Sequence, residues 1–110
     1  MTTINVDAPT MTLVNIFDVQ PENADELLAV LTRATDEVMR HIPGFLSANL
    51  HMADDRTHVV NYAQWRSLEH FQAMLQRDDA REHMGRAKAL CDRFTPVVCK
   101  PVHVVTAEMS

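Results

Sequence analysis

Asn61 and Trp65 are the residues of this 110-residue chain whose types and spacing point most directly to chemistry. They lie four apart in HVVNYAQWR (58–66), a β-branched and aromatic stretch that reads as a strand. Positions i and i+4 of a strand face the same way, so the amide and the indole share a face with Val59 and Ala63. Asparagine is disfavoured inside strands and costly to bury without partners. Together the two side chains offer an amide donor, an amide acceptor and an indole N–H in an apolar setting. That combination suits holding an oxyanion or an enolate oxygen. The residues alone leave open the plainer reading, in which Asn61 satisfies neighbouring backbone groups and Trp65 is core.

Few other groups compete. The six histidines, His41, His51, His58, His70, His83 and His103, are scattered without ligand spacing, so no metal site is expected. Cys91 and Cys99 form no C-x-x-C and read as packed or partly buried free thiols. With Gly44 and Gly85 as the only glycines, a phosphate-cradling loop is nearly excluded. No built-in nucleotide, flavin or nicotinamide site is legible.

The elements that must position Asn61 and Trp65 follow from punctuation and periodicity. Thr12 to Val19 reads as a strand between Pro9 and Pro21. Residues 21–42 carry apolar side chains at Leu27, Leu28, Leu31, Ala34, Val38, Met39 and Ile42, one stripe of an amphipathic helix. Asn23 with Glu26 resembles a capping box, and Pro43-Gly44 ends the helix. Residues 45–66 form a hairpin around a turn at 53–56. Ser67 caps a short helix over 68–75, and a further helix is predicted over 80–94. Residues 97–108 read as the last strand, with Pro101 marking an edge or a bulge. The order β-α-β-β-α-β predicts an α+β, ferredoxin-like domain over 11–107 behind a tail at 1–10. Helices cover one sheet face only. Val60 and Tyr62 on the other face call for a second copy, hence a homodimer.

Composition closes off other classes. At 46% hydrophobic and 23% charged, this is an ordinary globular sequence. The net charge of -5, with no basic run, argues against nucleic acid and anionic membrane surfaces. No apolar run is long enough for a membrane span. The opening MTTINVDAPT lacks the basic start and apolar stretch of a secretory signal, so a cytoplasmic protein is expected.

The stretch VVNYAQW (59–65), with PGFLSANLH (43–51) before it, resembles the antibiotic biosynthesis monooxygenase domain family. The resemblance spans roughly residues 11–106 in the same element order, with a specific hairpin motif and helices that match in pattern only. It implies a dimeric α+β barrel built from two ferredoxin-like protomers. It also implies, for quinone-forming members, oxidation of anthrone-like polyketides by O₂ without metal, flavin or haem. Carried over, Asn61 and Trp65 fall on the family's active-site asparagine and tryptophan. His51 falls on a histidine at the end of the preceding strand and Arg86 on an arginine of the last helix, completing the expected catalytic set. Phe71 stands where quinone-forming members have a proton-handling tyrosine, and a phenyl ring moves no proton. Asn15, Phe17, Leu28, Phe71, Met74 and Met84 are the expected substrate-binding residues.

The leading expectation is a cofactor-independent monooxygenase that takes a small aromatic polyketide, of anthrone or hydroquinone type, to a quinone with O₂ as co-substrate. Two alternatives stand beside it. One is a haem-degrading relative, with Asn15 and His83 near that group's asparagine and iron-ligating histidine but Met74 in place of its tryptophan. The other is a non-catalytic dimeric module that binds a small aromatic ligand.

Overall fold

The computed structural model describes residues 1–108. Strand β1 (Met11–Asp18) leads into helix α1 (Pro21–Glu37), followed by a 3₁₀ turn at Met39–His41. The hairpin β2 (Phe45–Met52) and β3 (His58–Trp65) comes next, then helices α2 (Leu68–Leu75) and α3 (Asp78–Leu90) and strand β4 (Arg93–Cys99). The four strands form one antiparallel sheet in the order β2-β3-β1-β4, the ferredoxin-like arrangement. Among the described residues, no helix is long and apolar enough to cross a membrane.

Several features differ from the sequence reading: α1 ends at Glu37 rather than running to Ile42, the stripe being continued by the 3₁₀ turn, and others differ for local reasons. Helix α1 starts at Pro21 with Gln20 as its cap residue, and the Asn23 N–H donates to the Gln20 carbonyl; no capping box forms. Proline suits the first helical position because its missing N–H would have had no partner there. Helix α3 ends at Leu90 rather than Phe94. The Asp92 N–H donates to the Asp18 carbonyl and Arg93 pairs with the Asp18 carboxylate, which peels the chain onto the edge of β1. The last strand is therefore 93–99 rather than 97–108, with Phe94 opposite Phe17 and Pro96 opposite Asn15. An outer strand tolerates Pro96, whose ring supplies no ladder donor. Pro101 lies beyond the strand, and residues 100–108 adopt no regular element.

Alternation assigns the two faces. Met11, Leu13, Asn15 and Phe17 of β1 lie beneath the helices with Val59, Asn61, Ala63 and Trp65 of β3. The core on this side falls into two parts. Trp65, Leu13 and Ala63 pack with Phe71 and Met74 of α2, while Phe17 and Val59 pack with Ala24, Leu27 and Leu31 of α1. The row between them is Asn15 opposite Asn61. On the opposite face Val60 and Tyr62 are half-buried with no helix above them. Part of that face is crossed by the N-terminal residues, where Gln64 Nε2 donates to the Thr3 carbonyl at 2.7 Å and the Thr2 hydroxyl donates to Asn49 Oδ1 at 2.9 Å.

Candidate active site

A cavity of about 340 Å³ opens between sheet and helices at the asparagine row. Strand pairing sets Asn15 directly across from Asn61, so both amides project into the cavity from adjacent strands. Both Oδ1 atoms are buried and, among the described residues, lack any hydrogen-bond partner. Leaving such an acceptor unmatched costs about 1–3 kcal/mol each. A fold that keeps two side by side has a free carbonyl pair facing an apolar space, ready for hydroxyl donors from a ligand.

Trp65, 2% exposed, is locked by aromatic neighbours. The Phe45 ring meets it edge-on at 5.5 Å and 90°, and Phe71 lies 6.1 Å away at 62°. Edge-to-face packing of this kind is worth about 0.5–1.5 kcal/mol per pair beyond area burial, and it fixes the indole plane. Phe17, Phe71, Met74 and Met84 complete the apolar walls, joined by Leu31, Leu50 and Phe94 beyond the set predicted from sequence. Thr35 is the remaining polar contributor. Among the described residues, no ionisable side chain lines the cavity.

Asn15, Phe17, Asn61, Trp65, Phe71, Met74 and Met84 are thus brought together, but His51, Arg86 and Leu28 are not. Leu50 pairs with Asn61 and His51 with Val60, so the hairpin register turns Leu50 into the cavity and leaves His51 exposed on the opposite sheet face. Arg86 is exposed on α3, where it pairs with Glu82 at 2.9 Å and borders a surface groove shared with Glu26 and His83. Leu28 is half-buried beside Asp25 and Thr32 in another groove. The inward face of α1 runs instead through Leu27, Leu31 and Ala34, and residue 28 lies about 100° around the helix from residue 27.

Neither cysteine reaches the cavity. Cys91 is half-buried, and its burial pushes the thiol pKa up, away from a reactive thiolate. Cys99 is exposed on the outer strand, contrary to the packed thiol expected.

Comparison with known proteins identifies the family and the fold. The family model for antibiotic biosynthesis monooxygenases matches residues 10–86. Tetracenomycin-F1 monooxygenase of Streptomyces glaucescens is 40% identical over 103 residues, covering 94% of this chain and 91% of the relative. A monooxygenase from the gene ActVA-Orf6 of Streptomyces coelicolor, solved in complex with nanaomycin D, has a TM-score of 0.78 at 27% identity, over 92% of this chain and 95% of its own. SnoaB of Streptomyces nogalater, described as a cofactor-independent oxygenase, has a TM-score of 0.81 at 23% identity, over 91% of this chain and 100% of its own, which speaks to the fold. With the family model spanning most of its length and a curated relative 40% identical across nearly all of it, this protein belongs to the antibiotic biosynthesis monooxygenase family.

Proposed function

We propose that this protein is a cytoplasmic monooxygenase that oxidises an aromatic polyketide of anthrone or hydroquinone type to a quinone, with O₂ as co-substrate and no cofactor. The observation that carries this reading is the pair of unpartnered carbonyl oxygens of Asn15 and Asn61 inside a largely apolar cavity. A polyphenolic ring supplies the hydroxyl donors those oxygens lack, and its flat carbon skeleton fills the space between Trp65 and Phe17. The amide N–H groups then hold the oxygen of the ionised ring, and that interaction strengthens as negative charge develops. The 40% identical relative, named as a tetracenomycin-F1 monooxygenase, supports the same direction.

The chemistry balances without a helper. The anthrone loses a proton, its enolate carbon bonds to O₂, and the peroxide takes up a proton. Loss of water then converts the ring CH₂ to a carbonyl. The substrate gives up four electrons, one oxygen atom stays in the quinone and the other leaves as water. The redox work therefore belongs to the substrate, while the protein binds, orients and stabilises charge.

Oxygen uptake with emodin anthrone tests the reading: one O₂ consumed per quinone formed is expected, and binding without uptake would leave a ligand-binding module. The purified protein is expected to be colourless and to keep its rate in EDTA. A visible absorbance band, or activity lost to the chelator and restored by a metal, would overturn the cofactor-free assignment. The haem-degrading alternative needs an iron ligand facing the pocket, and His83 sits in the outer groove beside Arg86 instead.

The uncovered sheet face supports a homodimer formed through Val60 and Tyr62. Tyr62→Asp would leave a charge without a counter-charge in that interface, a cost of about 3–5 kcal/mol. Light scattering should then show a dimeric wild type and a monomeric variant. A monomeric wild type would remove the interface.

A further inference from the structure

A second cavity of about 280 Å³ adjoins the first and shares Met74, Leu75, Met84 and Phe94 with it. Its other walls include Arg81, Gly85 and Lys88, all on α3. Residues 81, 84, 85 and 88 follow the i, i+3, i+4, i+7 pattern of a single helix face, so both cations look onto this space. The Lys88 Nζ stands 5.6 Å from the centre of the Phe94 ring, which borders both cavities. Among the described residues, neither Arg81 nor Lys88 makes an ion pair. Two carboxylates of the same helix are already engaged, Asp79 by Arg77 at 3.0 Å and Glu82 by Arg86 at 2.9 Å, while Asp78, one turn before Arg81, pairs with neither cation. Gly85 lies between the two cations, and a Cβ there would meet nothing within 4 Å. A mid-helix glycine costs about 1 kcal/mol against alanine, so the helix itself gains nothing from it. The space beside the helix is open at this position.

We propose that this adjoining space is an anion-binding vestibule, in which Arg81 and Lys88 hold a carboxylate carried by the end of the substrate that projects from the apolar cavity. The inference rests on the reading of the inner cavity as an aromatic ring site and adds the substrate class, a polycyclic carboxylic acid. On a chain of net charge -5, two uncompensated cations at the mouth of an uncharged cavity also set the direction in which such an anion enters. The inner cavity then receives the rings and not the carboxylate, which would find no cation there.

Calorimetric titration with anthraquinone-2-carboxylate and with its methyl ester separates the two layers of the claim, because both probes carry the same rings and neither reacts. The wild-type protein should bind the acid about tenfold more tightly than the ester at low salt, as charge-assisted contacts at a partly exposed site allow. In the Arg81→Gln/Lys88→Gln variant the two probes should bind within about twofold of each other. In the unmodified protein, 0.5 M NaCl should shrink the preference in the same way, which removes any dependence on how the variant folds. An ester that binds as tightly as the acid overturns the vestibule and leaves the ring site standing. So does a preference for the acid that survives both the double substitution and the salt. If neither probe binds, the ring site itself fails and the vestibule falls with it.

Discussion

Asn61→Ala should lower kcat on an anthrone by about 10²-fold while the protein stays folded. The magnitude follows from the loss of one preorganised donor at a site of developing negative charge, typically about 10²–10³ in rate. The lower end applies here, because an anthrone anion is delocalised over its rings and needs less help than a tetrahedral intermediate. Asn15→Ala should fall in the same range, since Asn15 faces Asn61 across the β1–β3 ladder and its amide oxygen is equally unmatched. The double variant should be barely worse than either single one, as expected of groups that act as a unit. Melting temperature should hardly move, because each substitution removes a buried acceptor that has no partner. Quinone absorbance and thermal denaturation measure the two halves of this result. Wild-type turnover in both single variants would move the chemistry elsewhere.

Gly44→Ala has the largest expected effect on stability, a loss of about 3 kcal/mol. Gly44 has φ of +91°, a backbone region costly for any residue with a Cβ, and an added Cβ would also run into the His70 ring. That ring cannot easily move aside. His70 Nδ1 is held by Ser67 Oγ at 2.6 Å, and the same hydroxyl caps α2 by accepting the His70 backbone N–H. The Gly44 carbonyl also accepts the Arg66 N–H at 2.7 Å, tying the turn to the end of β3. Calorimetry should show a fall of about 12 °C for a domain of this size. A shift below about 3 °C would mean that the loop relaxes freely around the new methyl group.

Legibility from sequence varied with the range of the interaction that decides each feature. Helix α2 is readable to the residue because Ser67 is a local signal, and the hairpin strands are readable from β-branched content bounded by turn residues. The start of β4 is not. Ala87, Cys91 and Phe94 keep helical spacing, and only pairing with Asp18 and Phe17 draws the segment into the sheet. His51 illustrates a sharper limit. A one-residue slip in register exchanges the faces of a strand, and nothing local to the 53–56 turn announces which residue will oppose Asn61. Leu28 and Arg86 are displaced by helix rotation, again a matter of which neighbours pack. The asparagine row, by contrast, was open to inspection, since Asn15 interrupts an apolar strand just as Asn61 does.

That row also divides the cooperative structure of the molecule. Helix α2 contributes Phe71 and Met74 to one half-core, and the first turns of α1 contribute Ala24, Leu27 and Leu31 to the other. Helix α3 reaches both, through Ala80 and Ala87. Lifting α2 therefore sacrifices one half-core and spares the other, so it requires less free energy than global unfolding. Amide protons of α2 should exchange with solvent faster than those of β1 and β3, which both halves hold in place. The same partial opening would give a rigid, flat molecule a way into the space beneath the helices without a dedicated hinged loop.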